Sequence, residues 1–133
     1  MGYLVDSDIA IHMRDGDQAV ASLMAGLDAP PFLSILTRVE LEGGVVRNPH
    51  LSRRRRIAID NLLARLVVLP FDGPCADAYG RIIAVTGWSR VRIFDRMIAA
   101  TAIVHELTLI TMNRRDFANI PGLSLETWPS PAA

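Results

Sequence analysis

Apolar residues in this chain fall into short runs separated by stretches with helical spacing. Gly2-Tyr3-Leu4-Val5 is a run that ends on Asp6 and predicts a first strand. Residues 9–13 predict a short helix. Within residues 17–27 the apolar positions Ala19, Val20, Leu23, Met24 and Leu27 recur at helical spacing. Pro30-Pro31 breaks that helix, and Phe32-Leu33-Ser34-Ile35 predicts a second strand. Residues 37–46 are helical until Asn48-Pro49 stops them. A longer helix covers residues 51–66, with an apolar stripe of Ile57, Ile59, Leu62, Leu63 and Leu66. Val67-Val68-Leu69-Pro70 predicts a third strand. Asp72 opens a helix to about residue 85, and Gly87 ends it. Residues 88–93 connect it to an apolar helix over residues 94–105. There the small residues Ala99, Ala100, Thr101 and Ala102 allow close approach to a sheet. Thr108-Leu109-Ile110-Thr111 predicts a fourth strand, residues 113–117 one helical turn, and Leu123-Ser124-Leu125-Glu126 a fifth strand. The tail, residues 129–133, reads as a frayed end.

Strands that alternate with helices pair in parallel through right-handed crossovers. The predicted class is α/β: a three-layer α/β/α sandwich around a mainly parallel sheet of about five strands. A length of 133 residues suits one domain, 1–133, and half of the chain is hydrophobic, enough for a core. No apolar run reaches the ~18–20 residues of a membrane span. The opening Met-Gly-Tyr-Leu-Val-Asp lacks the basic and apolar regions of a signal peptide. Cys75 is the one cysteine and reads as a small buried hydrophobe. These features fit a reducing cytoplasm.

Charge adds a narrower point. The net charge is zero, which excludes a generally basic nucleic-acid binder. All 14 basic residues are arginine and none is lysine. Arginine suits bidentate phosphate contacts, although an arginine-rich codon usage yields the same composition.

Four acids carry the candidate chemistry. Sites in open parallel sheets form at the carboxyl ends of strands. Asp6 ends the first strand, Glu40 lies on the helix after the second, Asp95 starts a helix, and Asp116 follows the fourth strand. All four are predicted to face one edge. Crowded carboxylates raise one another's pKa, and a hard divalent cation relieves the repulsion. Such a centre activates water and clamps a phosphodiester during in-line displacement. Each acid also has a plain structural reading. Asp6 and Asp95 sit where helix caps belong. Thr37-Arg38-Val39-Glu40 spells a capping box. Asp116 can close a turn.

Tyr3-Leu4-Val5-Asp6-Ser7-Asp8, Ser34 to Leu41 with Glu40, Asp95-Arg96-Met97-Ile98-Ala99-Ala100-Thr101-Ala102 and Thr111-Met112-Asn113-Arg114-Arg115-Asp116-Phe117 come in order along nearly the whole chain. They resemble the four motifs of PIN-domain ribonucleases, especially the VapC toxins of bacterial toxin–antitoxin pairs. Ile120-Pro121-Gly122-Leu123 and Glu126-Thr127-Trp128 resemble the usual ending. The resemblance implies a Mg²⁺- or Mn²⁺-dependent endoribonuclease, a homodimer, inhibited by a VapB-like antitoxin. It implies that Asp6, Glu40, Asp95 and Asp116 form the acidic quartet, with Thr111 and Asn113 as polar support. Asp6 and Asp95 are then the direct metal ligands, while Glu40 and Asp116 act through water. Ser7 stands where the family usually has threonine. Asp8 stands in place of asparagine, either as a fifth charge or as a helix-start acid favoured by the dipole.

The remaining features are weaker. Arg53-Arg54-Arg55-Arg56 points all round a helix axis and reads first as a solvated face, with RNA or antitoxin contact as the alternative. Arg114 and Arg115 are better placed for phosphate, and Arg38 and Arg96 adjoin two of the acids. His12, His50 and His105 lack metal-ligand spacing. Trp128 reads as packing, and Trp88, in a connection beside Arg90 and Arg92, as a substrate or partner contact. Met13, Leu23, Met24 and Leu27 either pack in the core or line a groove for an antitoxin helix. Asp6-Ser7-Asp8 also resembles the opening of aspartate-nucleophile phosphatases, which need a lysine that this chain lacks. No Gly-rich loop follows the first strand, which argues against a Rossmann nucleotide site. A PIN-like binding module without catalysis is the non-enzymatic rival.

Overall fold

The computed structural model describes residues 2–131, so Met1 and the last two tail residues, Ala132 and Ala133, lie outside the described residues. Five strands, β1 (Tyr3–Val5), β2 (Phe32–Ser34), β3 (Val68–Leu69), β4 (Thr108–Thr111) and β5 (Ser124–Thr127), form one sheet in the order β3-β2-β1-β4-β5. Every pairing is parallel. Six helices join them: α1 (Ser7–Arg14), α2 (Gln18–Ala25), α3 (Ile35–Arg47), α4 (Ser52–Arg65), α5 (Gly73–Thr86) and α6 (Ile93–Val104). The expected α/β sandwich is present.

Strand periodicity builds the two interior layers. Leu4 stands beside Leu109, which stands beside Leu125, and these face the layer formed with Ala78 and Ile82 of α5 and Ile98 and Ala102 of α6. One residue along, Val5 stands beside Leu33 and Ile110 and faces the layer formed with Ile9 of α1, Val20 of α2, Leu41 of α3 and Ile59 of α4. Successive strand residues point to opposite faces, so each central strand seals both layers. The row of small residues, Ala99 to Ala102, is completely buried, as close packing of α6 on the sheet requires.

Several helix starts differ from the sequence expectation. Ile35 belongs to α3 rather than to β2, because Ser34 caps that helix. Asp95 is not the N-cap of α6: the helix starts at Ile93, and Arg92 holds the cap position without a side-chain bond. Ile57 is 55% exposed and falls outside the α4 stripe, while Ile59 and Leu62 are buried. β5 is shifted by one residue, to Ser124–Thr127.

The sheet order fixes where a site can form. Strands run outward from β1 to β2 on one side and to β4 on the other. The crevice between β1 and β4 is therefore the switch point of the sheet. Asp6 leaves β1 there, with its N–H donating to the Ile110 carbonyl at 2.9 Å.

Candidate active site

Asp6 has two partners. Its Oδ1 accepts the Ser7 N–H at 2.8 Å, which makes it the N-cap of α1. Its Oδ2 accepts the Thr111 hydroxyl at 2.8 Å, across the β1–β4 crevice. The capping role is thus real but occupies one oxygen only. Asp8 lies in the first turn of α1 and also spans the crevice. It accepts the Ile9 N–H at 2.7 Å and the Met112 N–H at 3.0 Å.

Glu40 is not in a capping box. Ser34 Oγ accepts the Leu36 N–H at 3.0 Å, so α3 begins two residues before the expected start. Thr37 is therefore inside the helix and fully buried, 3.0 Å from Ser7 Oγ. The Ser7 hydroxyl donates to Glu40 Oε1 at 2.7 Å. That bond orients the carboxylate toward the residue that follows Asp6.

Asp116 sits in the 3-10 turn Arg114–Phe117 and accepts the Asn113 side-chain N–H at 2.8 Å. Its other oxygen accepts a bond from Arg92 Nη1, which lies 3.8 Å from Asp95 Oδ2. Arg92 therefore joins two of the four acids. The sequence reading placed this arginine only beside Trp88. Its spacing three residues before Asp95 was the available signal, since i,i+3 residues meet on a helix. Thr111, expected as polar support, also accepts the Asn113 N–H at 3.0 Å.

The electrostatics tie the acids together. Asp6 is pushed up to about 7, mainly by burial and next by the Asp8 charge, with a smaller push from Asp95. The bonds from Thr111 and Ser7 oppose that rise. Burial also raises Asp8. Asp95 is pushed up to about 6 by burial, then by the charges of Asp116, Glu40 and Asp8, against the pull of Arg92. All four expected acids and Asp8 thus act on one electrostatic centre. Among the described residues, no three His, Cys, Asp or Glu side chains already stand as a cage for a cation. The carboxylates are instead turned to hydroxyl, amide and guanidinium donors. The donor set still fits a hard dication: it offers carboxylate oxygens only, and burial and mutual repulsion leave it short of positive charge.

Most other candidates lie apart from the acids. Arg96 Nη1 donates to the Gly87 carbonyl at 2.6 Å and fastens the α5–α6 connection. Arg38 lies 4.0 Å from Glu42, not Glu40. Arg114 and Arg115 are exposed next to Asp116. Trp128 is buried and donates to Glu126 at 2.7 Å, as packing requires, while Trp88 is 66% exposed. Cys75 is buried and unpaired.

A family model for the PIN domain matches residues 3–123. This chain belongs to the PIN-domain family. Among relatives of this PIN domain, ribonuclease VapC1 of Rickettsia felis is 31% identical over 131 residues, covering 96% of each chain. The tRNA(fMet)-specific endonuclease VapC of Salmonella typhimurium is 32% identical over 99 residues, covering 72% of this PIN domain and 74% of that protein. A chain in the crystal structure of VapBC2 from Rickettsia felis, bound to a DNA fragment from their promoter, superposes with a TM-score of 0.85 at 25% identity. It covers 96% of this PIN domain and 99% of that chain. The likeness to VapC proteins read from the sequence is borne out along nearly the whole chain.

Proposed function

We propose that this PIN domain is the toxin of a VapBC-type pair, an endoribonuclease that cuts RNA with Mg²⁺ or Mn²⁺ held by Asp6, Glu40, Asp95 and Asp116. The observation that carries the reading is the single electrostatic centre at the switch point of the sheet, where burial first and neighbouring carboxylates second raise the pKa of Asp6 and Asp95. Full-length similarity to a VapC ribonuclease supports the reaction class.

In this reading the chain's own residues set the geometry. Asp6 and Asp95 would hold the cation directly. Thr111 locks Asp6 and leaves its charge aimed into the crevice. Ser7 holds Glu40 and Asn113 holds Asp116, so each can orient water. A divalent cation held by these acids would lower the pKa of a bound water and would offset charge on the phosphodiester. Asp8, held by two backbone N–H groups, deepens the negative field. Arg92 supplies fixed positive charge at the edge where a phosphate enters.

The partner reading rests on a groove of about 690 Å³ that includes Met13, Met24, Leu27, Pro30, Leu62 and Leu66 in its walls. It suits the apolar face of an amphipathic helix from a VapB-like antitoxin. Leu23, expected in the same groove, does not line it. A homodimer is supported by exposed Val85, Trp88, Val91 and Phe94 at the α5–α6 connection. No described helix is long and apolar enough to cross a membrane. RNA as substrate fits action in the cytoplasm, by one domain spanning the chain.

The deciding experiment uses protein freed of any antitoxin, incubated with tRNA or structured RNA. Cleavage with Mg²⁺ or Mn²⁺ and none in EDTA is expected. Cleavage that persists in EDTA overturns the metal reading. No cleavage under any metal, with RNA still bound, leaves the binding-module reading.

A further inference from the structure

The arginine run at the start of α4 is not used by the acid centre. Arg56 is engaged by Glu42, at 2.7 and 3.0 Å, and by Asp60 at 2.8 Å. Arg55 Nη1 donates to the Gly44 carbonyl at 2.7 Å, but its Nε is buried with no hydrogen-bond partner. Two more guanidinium groups converge on the same place. A β-carbon at Gly44 would lie 2.9 Å from Arg14 Nη1, 3.7 Å from Arg55 Nη1 and 3.8 Å from Arg47 Nη2. Glycine leaves the space that this crowding of like charge occupies. Among the described residues, one carboxylate pairs with any of these three arginines. Asp15 accepts from Arg14 at 2.8 and 3.2 Å, and its side chain is 49% exposed.

Beside this cluster lies a cavity of about 220 Å³, lined by Arg14, Asp15, Leu51, Arg54, Arg55 and Ala58. It adjoins the first turn of α4. The N-cap there is Leu51, which offers no side-chain acceptor to the first N–H groups. The Ser52 N–H reaches the Pro49 carbonyl at 3.4 Å and the Arg55 N–H the Leu51 carbonyl at 2.8 Å, which leaves those of Arg53 and Arg54, with the positive end of the helix dipole, to favour an anion. Guanidinium forks match phosphate oxygens.

We infer that this cavity binds a phosphate group through Arg14, Arg54, Arg55 and the first turn of α4. Its position suggests the source. Helix α1 carries Asp8 at the acid centre and Arg14 six residues on, about 9 Å along the axis. Glu40 and Gly44 are one turn apart on α3, about 6 Å. These axial separations are short on the scale of a nucleic-acid strand, and an RNA phosphate is the source we propose. The anion site stands on its own geometry. Its use on RNA rests on the nuclease reading above.

The test has two arms on the whole protein in EDTA. In the first, inorganic phosphate is titrated while backbone amide NMR signals are followed. Saturable shifts are expected at Ser52 to Arg55, lost in Arg54→Glu and kept in Arg54→Lys. Arg54 is exposed and makes no side-chain bond among those described, so both variants should fold. The second arm measures RNA affinity against salt. Arg54→Glu should weaken binding about tenfold at low salt and lower the log–log salt slope by about one. Arg54→Lys should restore both. Phosphate shifts without any effect of Arg54→Glu on RNA assign the site to free phosphate and overturn the RNA source. No saturable shift at α4 overturns the site. If wild-type protein binds no RNA at all, the nuclease reading fails while the phosphate arm still decides the anion site.

Discussion

Asp6 divides its two oxygens between the backbone of α1 and the Thr111 hydroxyl, and both bonds survive replacement by asparagine in part. An amide oxygen still accepts the cap bond, and caps exchange Asp for Asn at little cost. What the exchange removes is charge from a centre already too negative. Asp6→Asn and Asp95→Asn are therefore expected to abolish cleavage while leaving the metal-free protein as stable as wild type or more so at pH 8. For Asp95, raised to about 6, the gain should be on the order of 1–2 kcal/mol after allowing for partial solvent screening. Urea denaturation in EDTA measures it, and a loss above about 1 kcal/mol contradicts the charge argument. Thr111 is the converse case. Thr111→Val leaves Asp6 Oδ2 and the Asn113 N–H without their partner. It should cost about 1–3 kcal/mol. Arg92 is the centre's own cation. Arg92→Ala should lower stability in EDTA at pH 8, yet give a larger upward shift of Tm with Mn²⁺ than wild type shows. Equal shifts would mean that Arg92 does not offset these acids.

Helix α3 gives the sharpest lesson about what could be read at the level of elements. Ser34 and Thr37 are both hydroxyl residues ahead of apolar sequence, and Glu40 lies three residues after Thr37. Local pattern favours Thr37 as the cap; the structure uses Ser34. The register of β2 decides, because pairing of Val5 with Leu33 carries the strand to Ser34 and the helix must turn there. That is a contact between elements, absent from any local window. Ser34→Ala should therefore destabilise the protein by about 1 kcal/mol through the lost cap. Thr37→Ala should leave the cap intact and impair cleavage, by loosening Ser7 and Glu40. If thermal melts show the opposite ranking, α3 starts where the sequence pattern put it. The same reasoning explains Asp95. Its motif was legible, but its place two residues inside α6 depends on how the α5–α6 connection is fastened by Arg96 to Gly87. Strand and helix identities were legible because apolar spacing records burial directly. Arg92 was not, since its partner Asp116 is 24 residues away and only the folded sheet brings them together.

For the molecule as a whole, folding itself gathers the acids, so pH should act on global stability through them. Asp6 has a folded pKa of about 7, above its ordinary value of 3.8. Between these values the folded state keeps a proton that the unfolded chain has lost. Stability is then fully present below pH 4, falls as pH rises through 7, and levels off above it. Asp95 acts in the same direction through about 6. Asp8, also raised, adds to the trend. The rise of Asp6 from 3.8 to about 7 is worth on the order of 4 kcal/mol if it is independent, and less because Asp6 and Asp8 interact. In EDTA, the denaturation free energy should fall by a few kcal/mol between pH 5 and pH 8. A divalent cation binds the ionised form, so saturating Mn²⁺ should stabilise the protein far more at pH 8 than at pH 5. The two curves should meet at low pH and part through the window from 6 to 8, and Asp6→Asn should flatten the EDTA curve. A metal-free stability that rises from pH 5 to pH 8 would mean that these carboxylates are compensated without a cation, and the metal centre would lose its physical reason.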